Sequence, residues 1–86
     1  MSLDTKIREL IAVGASVTAS CQSCVLYHVG QALRAGASKE ELSEALQVGR
    51  AVRKGAAAKL DHFVAGMTPI QTSATEPEPE DGCGCP

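Results

Sequence analysis

Apolar residues recur at helical spacing in three successive segments of this 86-residue chain. The first segment runs from about Asp4 to Val17, and the Asp4 carboxylate is suited to cap the start of a helix. Small and hydroxyl residues then dilute the pattern between Gly14 and Ser20. We therefore predict a helix followed by a turn close to Ser20.

The second segment begins after Ser20, which we predict to be its N-cap, and continues to about Arg34. Gly36 follows in the position that glycine favours after a helix. The helical spacing assigns four apolar residues to the buried face of this helix, namely Val25, Val29, Ala32 and Leu33.

The third segment has the clearest start signal of the three. Ser38 and Glu41 form a capping box, in which each side chain bonds the backbone N–H of the other residue. The apolar pattern then continues to about Val64 and is rich in small residues. Because no segment has a strand pattern, we predict an all-α domain of about three helices over residues 1–66.

The composition changes after the third segment. Residues 67–86 contain all four prolines, an acidic run and the sequence Cys83-Gly84-Cys85. Such a composition cannot bury enough apolar surface to fold by itself. We predict that residues 67–86 form a disordered tail.

Size and charge narrow the possible partners. A chain this short buries a limited core alone, which favours self-association. The basic residues Arg50, Arg53, Lys54 and Lys59 lack the interleaved aromatic residues of a nucleic-acid surface, so we expect a solvated helix face. No apolar run is long enough to cross a membrane, and the N-terminus has no secretion-signal pattern. A cytoplasmic protein without a nucleic-acid or membrane partner is expected.

Cys21, Cys24 and His28 form a C-x-x-C-x-x-x-H pattern within the second predicted helix. Offsets of three, four and seven residues place the three side chains on one helical face. The two thiols can form a disulfide, and a helix N-terminus favours the reactive thiolate. His28 is placed to accept the proton of Cys24 directly or through a water molecule. The alternative without a catalytic role is two structural cysteines beside a core histidine.

Glu9 is a fourth candidate, provided that the chain turns near Ser20. On one unbroken helix Glu9 would lie about 18 Å from Cys21, at about 1.5 Å per residue. An antiparallel pair of helices would instead bring Glu9 opposite His28, where its carboxylate would orient the imidazole. The spacing alone is equally compatible with a solvated glutamate that pairs with Lys6 or Arg8.

The tail cysteines leave further alternatives open. Cys83 and Cys85 could join Cys21 and Cys24 in a zinc site, with His28 able to replace one thiol. They could also form a mobile dithiol that exchanges with a Cys21–Cys24 disulfide, or they could be inert. The C-x-C spacing is uncommon in zinc sites, so metal binding is the least favoured of these.

The pattern E-x(11)-C-x-x-C-x-x-x-H, followed by a helix, a Gly-Ala turn and a capping box, resembles the carboxymuconolactone decarboxylase/AhpD-like superfamily. The resemblance covers about residues 3–65 and is to its alkylhydroperoxidase branch. It implies an all-helical fold that assembles into homo-trimers or homo-hexamers. It also implies a thiol-dependent reduction of a peroxide or a partner disulfide, without a cofactor and with a thiol reductant protein as a possible partner.

The resemblance also implies a role for each residue of the motif. Cys24 would be the peroxidatic nucleophile, Cys21 would resolve the intermediate as a disulfide, and His28 and Glu9 would relay the proton. Some members carry a histidine between the cysteines where this chain has Ser23. The decarboxylating branch generally lacks the cysteine pair, which argues against lactone decarboxylation. Tyr27 is expected to face elsewhere on the helix, in a packing role.

A function from another class remains open beside this one. The chain could be a non-enzymatic helical assembly module whose cysteines bind metal or sense the redox state.

Overall fold

The computed structural model describes residues 2–67, which contain three α-helices and no strand. Helix α1 spans Thr5–Thr18, α2 spans Gln22–Arg34 and α3 spans Lys39–Ala65. The predicted all-α class is therefore confirmed. Apart from Met67, the proposed disordered tail lies outside the described residues, and the predicted boundary at residue 66 stays a prediction.

The turn between α1 and α2 shows that the predicted N-cap of α2 was wrong, whereas that of α1 was correct. Asp4 caps α1 as expected, because its side chain accepts a hydrogen bond of 2.9 Å from the backbone N–H of Ile7. Ser20, however, does not cap α2, since its φ of 58° places it in the left-handed region that completes the reversal. Cys21 has the extended backbone that an N-cap requires and occupies that position.

The start of α3 follows the prediction. The Ser38 hydroxyl accepts a 3.0 Å hydrogen bond from the backbone N–H of Glu41, and the Glu41 carboxylate accepts one of 2.9 Å in return. Gly36 has a φ of 95°, a conformation that glycine adopts without the steric cost of a Cβ. The predicted capping box is confirmed.

The chain divides into two units, Met1–Ala56 and Ala57–Pro86. The core of the first unit is small and consists of Val13, Ala32, Ala37 and Leu42, with Leu10, Val29, Ala45 and Leu46 packed against them. The prediction that Leu33 is buried was wrong, because 51% of its surface is exposed. In the second unit, the described residues form the last part of α3, in which Leu60 and Phe63 are exposed.

Helices α1 and α3 approach closely at two glycines. A Cβ added to Gly49 would lie 2.8 Å from the Cβ of Val17 and closer still to the carbonyl oxygen of Gly14. The Thr18 hydroxyl donates at 3.0 Å to the carbonyl of Gly49 and lies 3.1 Å from that of Gly14. The absence of side chains at both glycines allows the two backbones to meet.

An apolar groove of about 410 Å³ runs beside this contact. Its lining comes from α1 and from the part of α3 within the first unit, namely Leu10, Ile11, Gly14, Ala15, Thr18, Ala45, Val48 and Val52. Of the helices in the described chain, none is both long and apolar enough to cross a membrane.

Candidate functional site

The turn between α1 and α2 places a disulfide at the start of α2. Cys21 and Cys24 are joined, with their Cα atoms 5.2 Å apart, within the usual range for disulfides. One turn of helix separates the N-cap from its third residue, which brings the two Cβ atoms to the same face. Both cysteines are half-buried. The sequence spacing that predicted a closable thiol pair is therefore realised in the structure.

The two sulfurs have different surroundings. The Cys21 sulfur accepts a hydrogen bond of 3.3 Å from the backbone N–H of Cys24, one of the unpaired donors of the first helical turn. The Ser23 hydroxyl lies 3.8 Å from the same sulfur. Since a disulfide sulfur carries no hydrogen, Ser23 is the donor in that contact.

The same helix pair brings Glu9 to His28. The carboxylate Oε1 of Glu9 lies 2.7 Å from Nδ1 of His28, although nineteen residues separate them in the chain. Both side chains are partly shielded, with 23% of Glu9 and 29% of His28 exposed. The spacing had left Lys6 as an alternative partner of Glu9, but Lys6 pairs with Glu41 at 3.1 Å.

This contact determines which ring nitrogen of His28 is free for chemistry. An ionised carboxylate can only accept hydrogen bonds, so we assign the hydrogen to Nδ1. The neutral ring then presents the lone pair of Nε2, which can accept a proton. Among the described residues, no hydrogen bond joins the His28 ring to either sulfur, and proton transfer between Cys24 and His28 stays a prediction.

Tyr27 contacts the ring of His28. The two ring centroids lie 5.0 Å apart with an interplanar angle of 81°, an edge-to-face arrangement. The expectation that Tyr27 faces elsewhere missed this contact, because adjacent residues on a helix do not normally face each other. Its packing partner is His28, and 61% of the Tyr27 surface remains exposed.

The cysteines of the tail lie outside the described residues. A zinc site that includes Cys83 and Cys85, or exchange of these thiols with the disulfide, therefore stays a prediction. Within residues 2–67, no three His, Cys, Asp or Glu side chains gather in a group that could hold a metal ion.

Comparison with known proteins identifies the family of this chain. The model of the carboxymuconolactone decarboxylase family matches residues 1–65, about three quarters of the chain. The chain belongs to this family. Membership agrees with the all-helical fold and confirms the predicted superfamily, whereas the alkylhydroperoxidase branch stays a prediction. The family includes decarboxylases and peroxidases.

Two curated relatives are themselves uncharacterized proteins. One, from Cupriavidus necator, is 47% identical over 47 residues, which cover 55% of this chain and 42% of the relative. The other, described as uncharacterized protein 4 in the cox locus of Paracoccus denitrificans, is 39% identical over 56 residues, or 65% of this chain and 50% of the relative. The chain thus spans about half the length of these relatives. No solved structure gives a significant match.

Proposed function

We propose that this member of the family is a thiol-dependent oxidoreductase, which reduces a peroxide or the disulfide of a partner through Cys24 and Cys21. The observation that carries the proposal is the hydrogen bond between Glu9 and His28, on the same helix pair as the Cys21–Cys24 disulfide. A disulfide alone can be structural. A half-buried imidazole that bonds a carboxylate, on the same helix pair as the disulfide, would supply the acid–base group that thiol chemistry needs.

The proposed reaction with a peroxide proceeds in two steps. The Cys24 thiolate attacks one peroxide oxygen, the O–O bond breaks, and an alcohol or water leaves as Cys24 becomes a sulfenic acid. The Cys21 thiolate then attacks the Cys24 sulfur and forms the disulfide. The displaced hydroxyl group takes up the proton that Cys21 released on ionising and leaves as water. With a disulfide substrate, Cys24 forms a mixed disulfide that Cys21 resolves in the same manner.

The proposed proton path runs through His28. Nε2 of His28 takes the proton of the Cys24 thiol directly or through a water molecule, and the Glu9 carboxylate stabilises the imidazolium that results. The proton then returns to the leaving alkoxide or thiolate. No cofactor is needed in this cycle, because two thiols of a reductant restore the Cys21–Cys24 dithiol.

Peroxide-driven disulfide formation in the reduced 86-residue protein tests this proposal. The rate is followed with hydrogen peroxide and with an organic hydroperoxide, and the modified cysteines are mapped by mass spectrometry. We expect His28→Ala to slow disulfide formation by about 100-fold, a usual contribution of general base catalysis. His62→Ala is the matched control, since His62 is exposed near the end of α3, and it should react at the wild-type rate.

Slow thiols and an inactive His28 would contradict the proposal. If Cys24 reacts no faster than a free cysteine and His28→Ala changes nothing, the enzymatic proposal is wrong. The disulfide would then act as a redox-sensing element of a non-enzymatic helical module.

A further inference from the structure

We infer that the two sulfurs of the Cys21–Cys24 disulfide are not equivalent toward a thiol reductant: the reductant attacks Cys24, and Cys21 leaves as a thiolate that Ser23 helps to hold. The inference rests on the proposed function, because it describes how the oxidised site is returned to its dithiol form. It assigns Ser23 as a positioning residue of the site.

The first observation is the place of Cys21 on α2. Cys21 is the N-cap of a 13-residue helix whose first turn contains no acidic residue. The positive end of the helix dipole therefore acts on the Cys21 sulfur without a neighbouring negative charge in that turn. Negative charge on a thiol is favoured at such a position.

The second observation is the hydrogen bonding. The backbone N–H of Cys24 and the hydroxyl of Ser23 both point to the Cys21 sulfur, at 3.3 Å and 3.8 Å. In the described part of the chain, no hydrogen bond is donated to the Cys24 sulfur. Two donors that already surround one sulfur stabilise the charge that develops there when the S–S bond breaks.

These two observations determine the direction of attack. In thiol–disulfide exchange, the sulfur that better carries negative charge leaves faster. The reductant thiolate therefore forms a new S–S bond with Cys24, the Cys21–Cys24 bond breaks, and its electron pair stays on Cys21. A second reductant thiolate then attacks the reductant sulfur of the mixed disulfide. It releases Cys24 as a thiolate, and the reductant leaves as its own disulfide.

The same assignment explains how a serine serves at position 23. The Ser23 hydroxyl cannot act as a base near neutral pH, but it can donate a hydrogen bond to the thiolate of Cys21. This hydrogen bond stabilises the Cys21 thiolate, which is the leaving group during reduction and the resolving nucleophile during oxidation. Ser23 is exposed, so its replacement removes a donor without opening the core.

The test maps the first mixed disulfide formed with glutathione. The oxidised 86-residue chain, with Cys83→Ser and Cys85→Ser to remove the tail thiols, is mixed with glutathione. The reaction is stopped with acid within the first turnover, alkylated and analysed by mass spectrometry. We expect glutathione on Cys24 and the alkyl group on Cys21. Glutathione found on Cys21, or equally on both cysteines, would overturn the inference.

The role of Ser23 is measured in the same background. Ser23→Ala should slow the first step on the order of threefold, since loss of the hydroxyl donor makes the Cys21 thiol less acidic and a less acidic thiol leaves more slowly. Ser23→Thr keeps the hydroxyl and should restore the rate, whereas Gln22→Ala, an exposed neighbour on α2, should have no effect. Equal rates for Ser23→Ala and Gln22→Ala would remove Ser23 from the site. Helix content by circular dichroism checks that each variant folds.

The result can be separated from that of the proposed function, because the mapping uses no peroxide. Glutathione on Cys24 together with an inert His28→Ala phenotype would leave this inference standing and remove the proposed catalysis. Glutathione on Cys21 with a strong His28→Ala phenotype would do the reverse.

Discussion

Glu9 and His28 share a hydrogen bond of 2.7 Å on the same helix pair that carries the Cys21–Cys24 disulfide. With the hydrogen assigned to Nδ1, the neutral imidazole keeps the lone pair of Nε2. At the residue scale, Cys21, Cys24 and His28 follow from sequence spacing, and Glu9 follows once a turn near Ser20 is assumed. The contacts of Ser23 and Tyr27 do not follow from spacing, because they depend on where each side chain points from the first turns of α2.

Glu9→Gln tests the carboxylate itself. A glutamine amide can still accept from Nδ1, but it carries no charge to stabilise the imidazolium. We expect peroxide-driven disulfide formation to slow by about tenfold, equivalent to about 1.4 kcal/mol of transition-state stabilisation. Glu40→Gln, at an exposed acid in the first turn of α3, is the control and should keep the wild-type rate. Matching rates for the two variants would show that the charge of Glu9 has no role.

At the scale of the elements, the close contact of α1 with α3 depends on small residues. Gly14 and Gly49 face each other there, and Thr18 contacts the carbonyl groups of both. The sequence predicted a third helix rich in small residues, but it did not identify which glycine meets which helix. That pairing is a consequence of the packing angle between α1 and α3, which no local pattern encodes.

Gly49→Ala should disturb this contact. The new methyl group would meet the side chain of Val17 and the backbone of Gly14, so we expect a loss of about 1–3 kcal/mol in the free energy of unfolding. Gly55→Ala, on the same helix, meets no atom within 4 Å and should stabilise the protein by about 0.5–1 kcal/mol. Urea unfolding measures both changes. A neutral Gly49→Ala variant would contradict the close approach of the backbones.

The Glu41 carboxylate in the capping box of α3 should make the free energy of unfolding depend on pH. The backbone hydrogen bond from Ser38, and next the hydrogen bond from Lys6, lower the pKa of Glu41 below its usual value of 4.5. Because the folded pKa is the lower one, the contribution of the ionised carboxylate is complete above pH 4.5. It is lost as the pH falls through the folded value.

Glu41→Gln isolates this contribution. Glutamine can keep the capping hydrogen bond but removes the charge that pairs with Lys6. Wild type should therefore be more stable than Glu41→Gln near neutral pH, and the difference should shrink as the pH falls below 4.5. Urea unfolding at several pH values gives the comparison, with Glu40→Gln as the reference. A difference that stays constant with pH would contradict the assigned cause.

At the scale of the whole molecule, the small core and the apolar groove bear on self-association. Val13 is fully buried, whereas Ile11, Val48 and Val52 in or beside the groove are more than half exposed. A chain of this length gains stability when such a surface is buried against another copy. We propose that the predicted trimers or hexamers use the groove beside α1 and α3 as one of their contacts.

Val48→Lys would place a charge in that contact. We expect a shift toward monomer in sedimentation velocity across a range of protein concentrations, because an unpaired buried charge is costly. Ser43→Lys adds the same charge at an exposed polar position of α3 and should leave the assembly unchanged. A monomeric wild type, or an assembly that tolerates Val48→Lys, would refute this contact.

The sequence by itself determined the three helices, the capping of α1 and α3, and the thiol pair one turn from His28. These features depend on periodicity and on residues a few positions apart, which local hydrogen bonds and side-chain directions fix. Only the tertiary structure decided that Cys21 rather than Ser20 caps α2, that Leu33 stays exposed, and that the Glu9 carboxylate contacts His28. Each of those outcomes depends on how the α1–α2 turn reverses the chain, since the turn determines which distant side chains share one environment.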